Sequence, residues 1–194
     1  MDMPNPENKV KFGLSNVYYA VQTVGSDGKI TFGAPKRYPG AVSLSLDAQG
    51  DQSKFYAENV AYFVSTANDG YSGTLETALM PDSFAIDVLH ESLDSTAKVL
   101  VENATVESTA FALLFQFEGD KHGTRHVLYN CTASRPTVAS KTTSNNKEPS
   151  TTTLNINAAP MADGLVKAKT TADTPTETYN GWFTSVWMPA GASA

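Results

Sequence analysis

The sequence predicts a mainly β fold, a β-sandwich or partly closed barrel with one flanking α-helix. Three observations carry that prediction. Side chains alternate with period two through most of the chain, which puts neighbours on opposite faces of a sheet. Clusters of Gly, Asn, Asp and Ser punctuate the alternating runs. A spacing near four holds only over residues 80–90. With 194 residues, 41% of them apolar and 10% aromatic, the chain is long and apolar enough to bury one sizeable core, so residues 1–194 are expected to form a single domain.

Taken in order, VYYAVQTV at residues 17–24 is β-branched and aromatic, and Gly25-Ser26-Asp27-Gly28 then a short run at 30–32 complete a predicted hairpin. AVSLSLDA at 41–48 sets Val42, Leu44 and Leu46 on one face and Ser43, Ser45 and Asp47 on the other, so one side is expected buried and one wet. Residues 48–59, AQGDQSKFYAEN, read as a long polar loop carrying Gln49, Asp51, Lys54, Phe55, Tyr56 and Glu58. Residues 60–66 and 71–80 flank Asn68-Asp69-Gly70 and predict a second hairpin. On its return strand Ser72, Thr74 and Glu76 lie opposite Tyr71, Leu75 and Leu79.

Within residues 80–90, Met80, Phe84 and Val88 fall four apart, with Ala85 and Leu89 beside them on one helical face. Pro81 suits a first turn and Asp82 complements the helix dipole. About three turns of helix, ending near 89–92, are marginal alone, so Phe84, Val88 and Leu89 are expected to pack against the sheet. Further strands are predicted at 97–106, 109–118 and 124–134. The last two, joined by Gly119-Asp120-Lys121-His122-Gly123 and apolar on both faces, should form the centre. Residues 138–150 read as a loop, 151–158 and 178–187 as late strands, and 1–10 and 188–194 as terminal arms.

Catalytic chemistry is not expected. Gly70-Tyr71-Ser72-Gly73 lacks the spacing of a nucleophile elbow and precedes a strand, so it reads as a turn. His122 and His126 lie four apart, but across a turn and strand with no ligand set around them, and read as solvated; no metal or cofactor is expected. His90 reads as a polar or capping residue at the helix end. Cys131, the lone cysteine, alternates with Val127, Tyr129 and Ala133 and reads as a buried, inert thiol that forms no intrachain disulfide. Asn103 and Asn130 match the glycosylation sequon by chance, because the polar N-terminus resembles no secretory signal. The chain is therefore expected to begin near Met1 and to be made in a reducing cytoplasm. No apolar run approaches the ~20 residues that span a bilayer. A formal net charge of −6 and the lack of any run of Lys and Arg argue against a nucleic-acid-clasping surface.

KFGLSNVYYAVQT at 11–23, AVSLSLDAQGD, and YFVSTANDGYSGTLETALMPDSFAIDVL follow one another in an order that resembles the major tail protein family, the tail-tube subunits of long, non-contractile-tailed phages of Gram-positive bacteria. The resemblance covers residues 8–135 best. It implies a virion protein, assembled in the host cytoplasm, whose copies form hexameric rings that stack into a tube. Partners would be further copies of the chain, a tape measure protein, and tail terminator and distal tail proteins, with DNA passing through the lumen unbound. The 48–59 loop would reach a neighbouring ring. Ser43, Ser45, Asp47, Ser72, Thr74 and Glu76 would face the lumen, where small and acidic groups keep phosphates from sticking. Members often carry a further C-terminal immunoglobulin-like domain, and none is present in these 194 residues. Two other readings stay open: a related tail or head subunit such as a terminator or decoration protein, and a β-sandwich carbohydrate- or receptor-binding module. The latter needs exposed aromatics, whereas Trp182 and Trp187 read as part of a last buried strand.

Overall fold

A computed structural model describes residues 7–142 and 149–190. Its strands are β1 (Lys11–Val24), β2 (Ile30–Phe32), β3 (Lys36–Arg37), β4 (Ala41–Gln49), β5 (Gln52–Ala57), β6 (Val60–Thr66), β7 (Gly70–Thr77), β8 (Ser92–Leu93), β9 (Leu100–Val101), β10 (Phe111–Gly119), β11 (Thr124–Ala133), β12 (Thr152–Ala158) and β13 (Lys167–Lys169). Two short helices, α1 (Asp82–Asp87) and α2 (Thr176–Gly181), complete it. The large sheet runs β2-β1-β10-β11-β12-β7-β4, with β3 also on β1 and β13 also on β11. The architecture is mainly β with a flanking helix, as the period-two pattern predicts. The sheet curls until β1 and β4 approach one another, without hydrogen-bonding, so no barrel closes.

One face of this sheet is apolar along its length. Tyr19, Phe111, Leu113, Phe115, Leu128, Leu154, Ile156 and Leu75 share a single buried cluster with Phe84 and Val88 of the α1 region. Phe84 sits at its middle, with the rings of Tyr19, Tyr38 and Phe111 edge-on at 5.0, 5.1 and 5.3 Å. The opposite face changes character halfway across. Over β1, β10 and β11 it is apolar, and Ala20, Leu114, Val127 and Tyr129 pack with Met161 and Trp182 of the C-terminal segment. Arg125 pins that segment: its guanidinium lies 3.7 Å from the Tyr179 ring centroid and 5.0 Å from that of Phe183, and it donates to the Tyr179 carbonyl. The Tyr129 hydroxyl donates to the Trp187 carbonyl at 3.0 Å.

Several local expectations are corrected. Residues 60–66 do not pair with 71–80; β6 folds back on β5, and β7 lies between β4 and β12. The helix has six residues, not three turns, because the chain leaves the helical track at His90, whose φ is +58°. Residues 178–187 form α2 and a turn rather than a strand, and the 97–106 strand shrinks to the two residues of β9. A register shift between Ala41 and Ser43 leaves Val42 exposed while Leu44 and Leu46 pack inward. Leu79 lies beyond the end of β7 and is exposed. A shift in the β10–β11 register puts Cys131 and Ala133 with Leu128, on the face opposite Val127 and Tyr129. Parts of the expected arms (residues 1–6 and 191–194) and of the 138–150 loop (143–148) lie outside the described residues.

Candidate assembly surfaces

The polar half of the outer face is built by strict alternation on three adjacent strands. Ser43 lies opposite Glu76, Ser45 opposite Thr74 and Asp47 opposite Ser72, so the six residues picked out in the sequence fall on one face, side by side. β12 extends that face with Thr153, Asn155 and Asn157, paired with the same three residues of β7, and β11 adds Thr132. Directly behind them, Leu44, Leu75 and Leu154 form an apolar row. The C-terminal segment stops short of this half, and Ser43, Ser45, Asp47, Asn155 and Asn157 are exposed. Two carboxylates, Asp47 and Glu76, lie here with no Lys or Arg among the residues of the face. Hydrogen bonds donated by Thr151 (2.6 Å) and Ser43 (3.0 Å) hold the Glu76 carboxyl below its ordinary pKa. β4 is the edge of the sheet, and its outer backbone groups meet no strand among the described residues.

The second surface is a projecting hairpin. β4 and β7 continue past the sheet as β5 and β6, the transition bridged by Asp69 N–H to the Gln49 carbonyl and Ala67 N–H to the Asp51 carbonyl, both at 3.0 Å. Gly50 (φ +143°) and Gly70 (φ +95°) set the bend at this base. A Cβ at Gly50 would overlap the Ala67 carbonyl, and one at Gly70 the carbonyl of Ala158. The tip is a two-residue turn in which Glu58 (φ +52°) and Asn59 (φ +63°) both take the left-handed conformation that primed hairpin turns demand. Of the predicted loop residues, Gln49 ends β4, Asp51 precedes β5, Lys54, Phe55 and Tyr56 lie on β5, and Glu58 sits in the turn. Every residue of β6 is exposed. Phe55, Tyr56 and Phe63 are each 62% exposed and Tyr62 76%, with Val60 and Val64 beside them. Isolated exposed apolar residues are ordinary, but four exposed aromatics on one solvated two-stranded arm, with Phe55 directly opposite Phe63, mark a contact surface. The sequence reads 60–66 as one strand of a hairpin with 71–80 and gives no sign that Tyr62, Phe63 and Val64 project into solvent, since the Glu58-Asn59 turn that sends them out carries no glycine.

A third feature has no counterpart in the linear sequence. Next to Gly70, Tyr71 lies under Lys167, whose Nζ is 4.3 Å from the ring centroid and donates to the Tyr71 hydroxyl. In β13, Lys169 is registered against His126 of β11. The His126 ring stacks on Phe115 at 5.1 Å and meets Phe117 at 5.2 Å, and Lys11 caps Phe117 at 5.1 Å. Three lysines distant in sequence thus surround one imidazole. Burial first, then the charges of Lys169, Lys167 and Lys11, depress the His126 pKa to about 4. His126 is therefore half-buried rather than solvated, while His122 tucks against Asn8, whose side chain ties residues 121, 122 and 124 together.

Among the described residues no group of three or more His, Cys, Asp or Glu side chains is placed to hold a metal ion. Burial pushes the Cys131 thiol up to about 12. Trp182 is buried and stacked on the partly exposed Trp187 at 5.9 Å. His90 bonds through Nε2 to the Thr109 hydroxyl. Among the described residues no helix is long and apolar enough to cross a membrane.

No protein-family model matches the chain, and no curated protein matches it in sequence. Among solved structures it is similar to the anti-feeding prophage cap, a tube-terminating cap determined by electron cryo-microscopy. The TM-score is 0.41 at 13% identity, over 86% of this chain and 96% of that one. A likeness of that degree leaves function to be read from this chain's own surfaces.

Proposed function

We propose that the chain is a non-enzymatic structural subunit of a phage-type tail tube, a major tail protein whose copies associate into hexameric rings and stack. The observation that carries the reading is the projecting β5–β6 hairpin, which holds Phe55, Tyr56, Tyr62 and Phe63 in water where only another protein surface would cover them. The open β4 edge offers a place for a neighbour's strand. The polar, cation-free β12-β7-β4 face has the chemistry of a lumen wall that lets phosphates pass without binding them. On this reading the subunit acts in the virion after assembly in the host cytoplasm, and meets tape measure, terminator and distal tail proteins at the tube's core and ends.

The test removes the hairpin. Joining Gly50 to Asn68 deletes β5 and β6 and leaves the paired ends of β4 and β7. Negative-stain microscopy and sedimentation should show rings or tubes for the whole chain and monomers for the shortened one, with the far-UV spectrum still that of a folded sheet. Tubes of normal length from the shortened chain would remove the basis for the reading.

A further inference from the structure

We propose that the lysine-rimmed patch formed by Lys11, Lys167 and Lys169 over Phe117, Tyr71 and His126 is the receptor for the β5–β6 hairpin of a second copy of this chain. The inference rests on the assembly reading above and adds the site at which it occurs. Three observations favour this occupant. The hairpin and its base carry Asp51, Glu58 and Asp69 against one cation, Lys54, so their sign is opposite to that of the patch. The three lysines form no ion pair among the described residues, and Glu118, which follows Phe117 in β10, is taken up on the other face of that strand, where Ser15 and Gln116 donate to it. Beneath the lysines the floor is aromatic and half-exposed, matching the exposed cross-strand pair Phe55 and Phe63 that the hairpin presents. Opposite charges at the rim orient the approach, and ring-on-ring contact at the centre supplies most of the affinity.

The subunit's own hairpin does not fill the patch: β6 is exposed throughout, although Lys167 sits on Tyr71, one residue from the hairpin's base. Each copy therefore gives one hairpin and receives one, by different surfaces. Such a heterologous contact propagates from copy to copy and closes into a ring or continues as a filament, rather than stopping at a two-fold dimer.

Charge reversal and cross-linking test it together. Lys11→Glu, Lys167→Glu and Lys169→Glu combined should weaken self-association by on the order of tenfold or more, while the far-UV spectrum and thermal transition stay those of a folded chain. Asp51→Lys with Glu58→Lys in the hairpin should restore association of the triple variant. Cys131 is buried, so Tyr62→Cys in one copy and Val10→Cys beside Lys11 in another should give a covalent dimer with a short bis-maleimide only when the two are mixed. Folded triple variant that assembles with unchanged affinity, or absence of the mixed dimer in assembled samples, overturns the docking site while leaving assembly itself intact. Binding of a short DNA duplex to the three lysines, with assembly indifferent to their reversal, also overturns it in favour of a nucleic-acid patch. If the unaltered chain stays monomeric at every concentration, the assembly reading falls and this inference with it.

Discussion

His126 is the side chain whose behaviour departs furthest from its sequence context. Stacked on Phe115 and faced by Lys169, Lys167 and Lys11, it stays neutral down to about 4, against an ordinary value of 6.5. Once unfolded, the ring takes up a proton near that ordinary value. Between pH 6.5 and about 4 the unfolded chain therefore binds more protons, and this residue's contribution to stability is lost as the pH falls through that window. Glu76, Asp87 and Asp120, whose pKa values are lowered, also make the fold acid-labile, so the informative quantity is a difference. Denaturant titrations at pH 7 and pH 4.5 should show a smaller loss for His126→Phe than for the parent; equal losses would place the imidazole in water. Asp87 reaches its lowered value against its burial, because Lys36 (2.6 Å) and the Tyr19 hydroxyl (2.8 Å) both donate to it.

At the scale of elements, α1 shows a helix made by its surroundings. It has six residues and no side-chain N-cap bond, and a peptide of that length would not hold a helix in water. Phe84 is 1% exposed at the centre of an aromatic cluster, so Phe84→Ala leaves a cavity that costs ~3–5 kcal/mol and should lower Tm by about 10 °C. A calorimetric shift of only a degree or two would mean that the cluster collapses around the gap. The spacing of Met80, Phe84 and Val88 located this element, yet overstated its length because Leu89 packs on the same core from beyond the last turn. The aromatic and β-branched composition of TYNGWFTSVW reads as a strand, yet Tyr179, Trp182, Phe183, Val186 and Trp187 recur three and four apart as on a helix. The structure makes α2 and a following turn there, with Tyr179, Trp182 and Phe183 docked on Arg125, His126 and Tyr18.

Across the whole molecule, the outer face is divided between a half covered by the C-terminal segment and a half left open, and the open half carries Asp47 and Glu76. Asp47→Lys with Glu76→Lys reverses its sign without touching the apolar row behind. If that face lines a channel, tubes should still form, since Asp47 is exposed, where substitutions usually change stability by within ~0.5 kcal/mol, and the Glu76 change gives up only the hydrogen bonds from Thr151 and Ser43. Duplex DNA should then be retained at low salt and released as salt rises, and ejection from triggered particles should slow. Unchanged ejection kinetics in particles carrying both substitutions would turn the face outward.

The sequence by itself determined what depends on neighbours in the chain. Period-two alternation placed Ser43, Ser45 and Asp47 away from Leu44 and Leu46, the glycine-rich turns marked the β1–β2 and β10–β11 hairpins, and net charge was set by composition. Only the tertiary structure decided what depends on register and long-range pairing. It set Glu76 between Ser43 and Thr151, sent residues 60–66 back on 52–57 as a projecting arm, and gathered Lys11, Lys167 and Lys169 around His126. Alternation specifies which way a side chain faces but not which strand lies beside it. Which strand does is settled by the burial of the common apolar face, a cooperative quantity of the whole sheet that no local window contains.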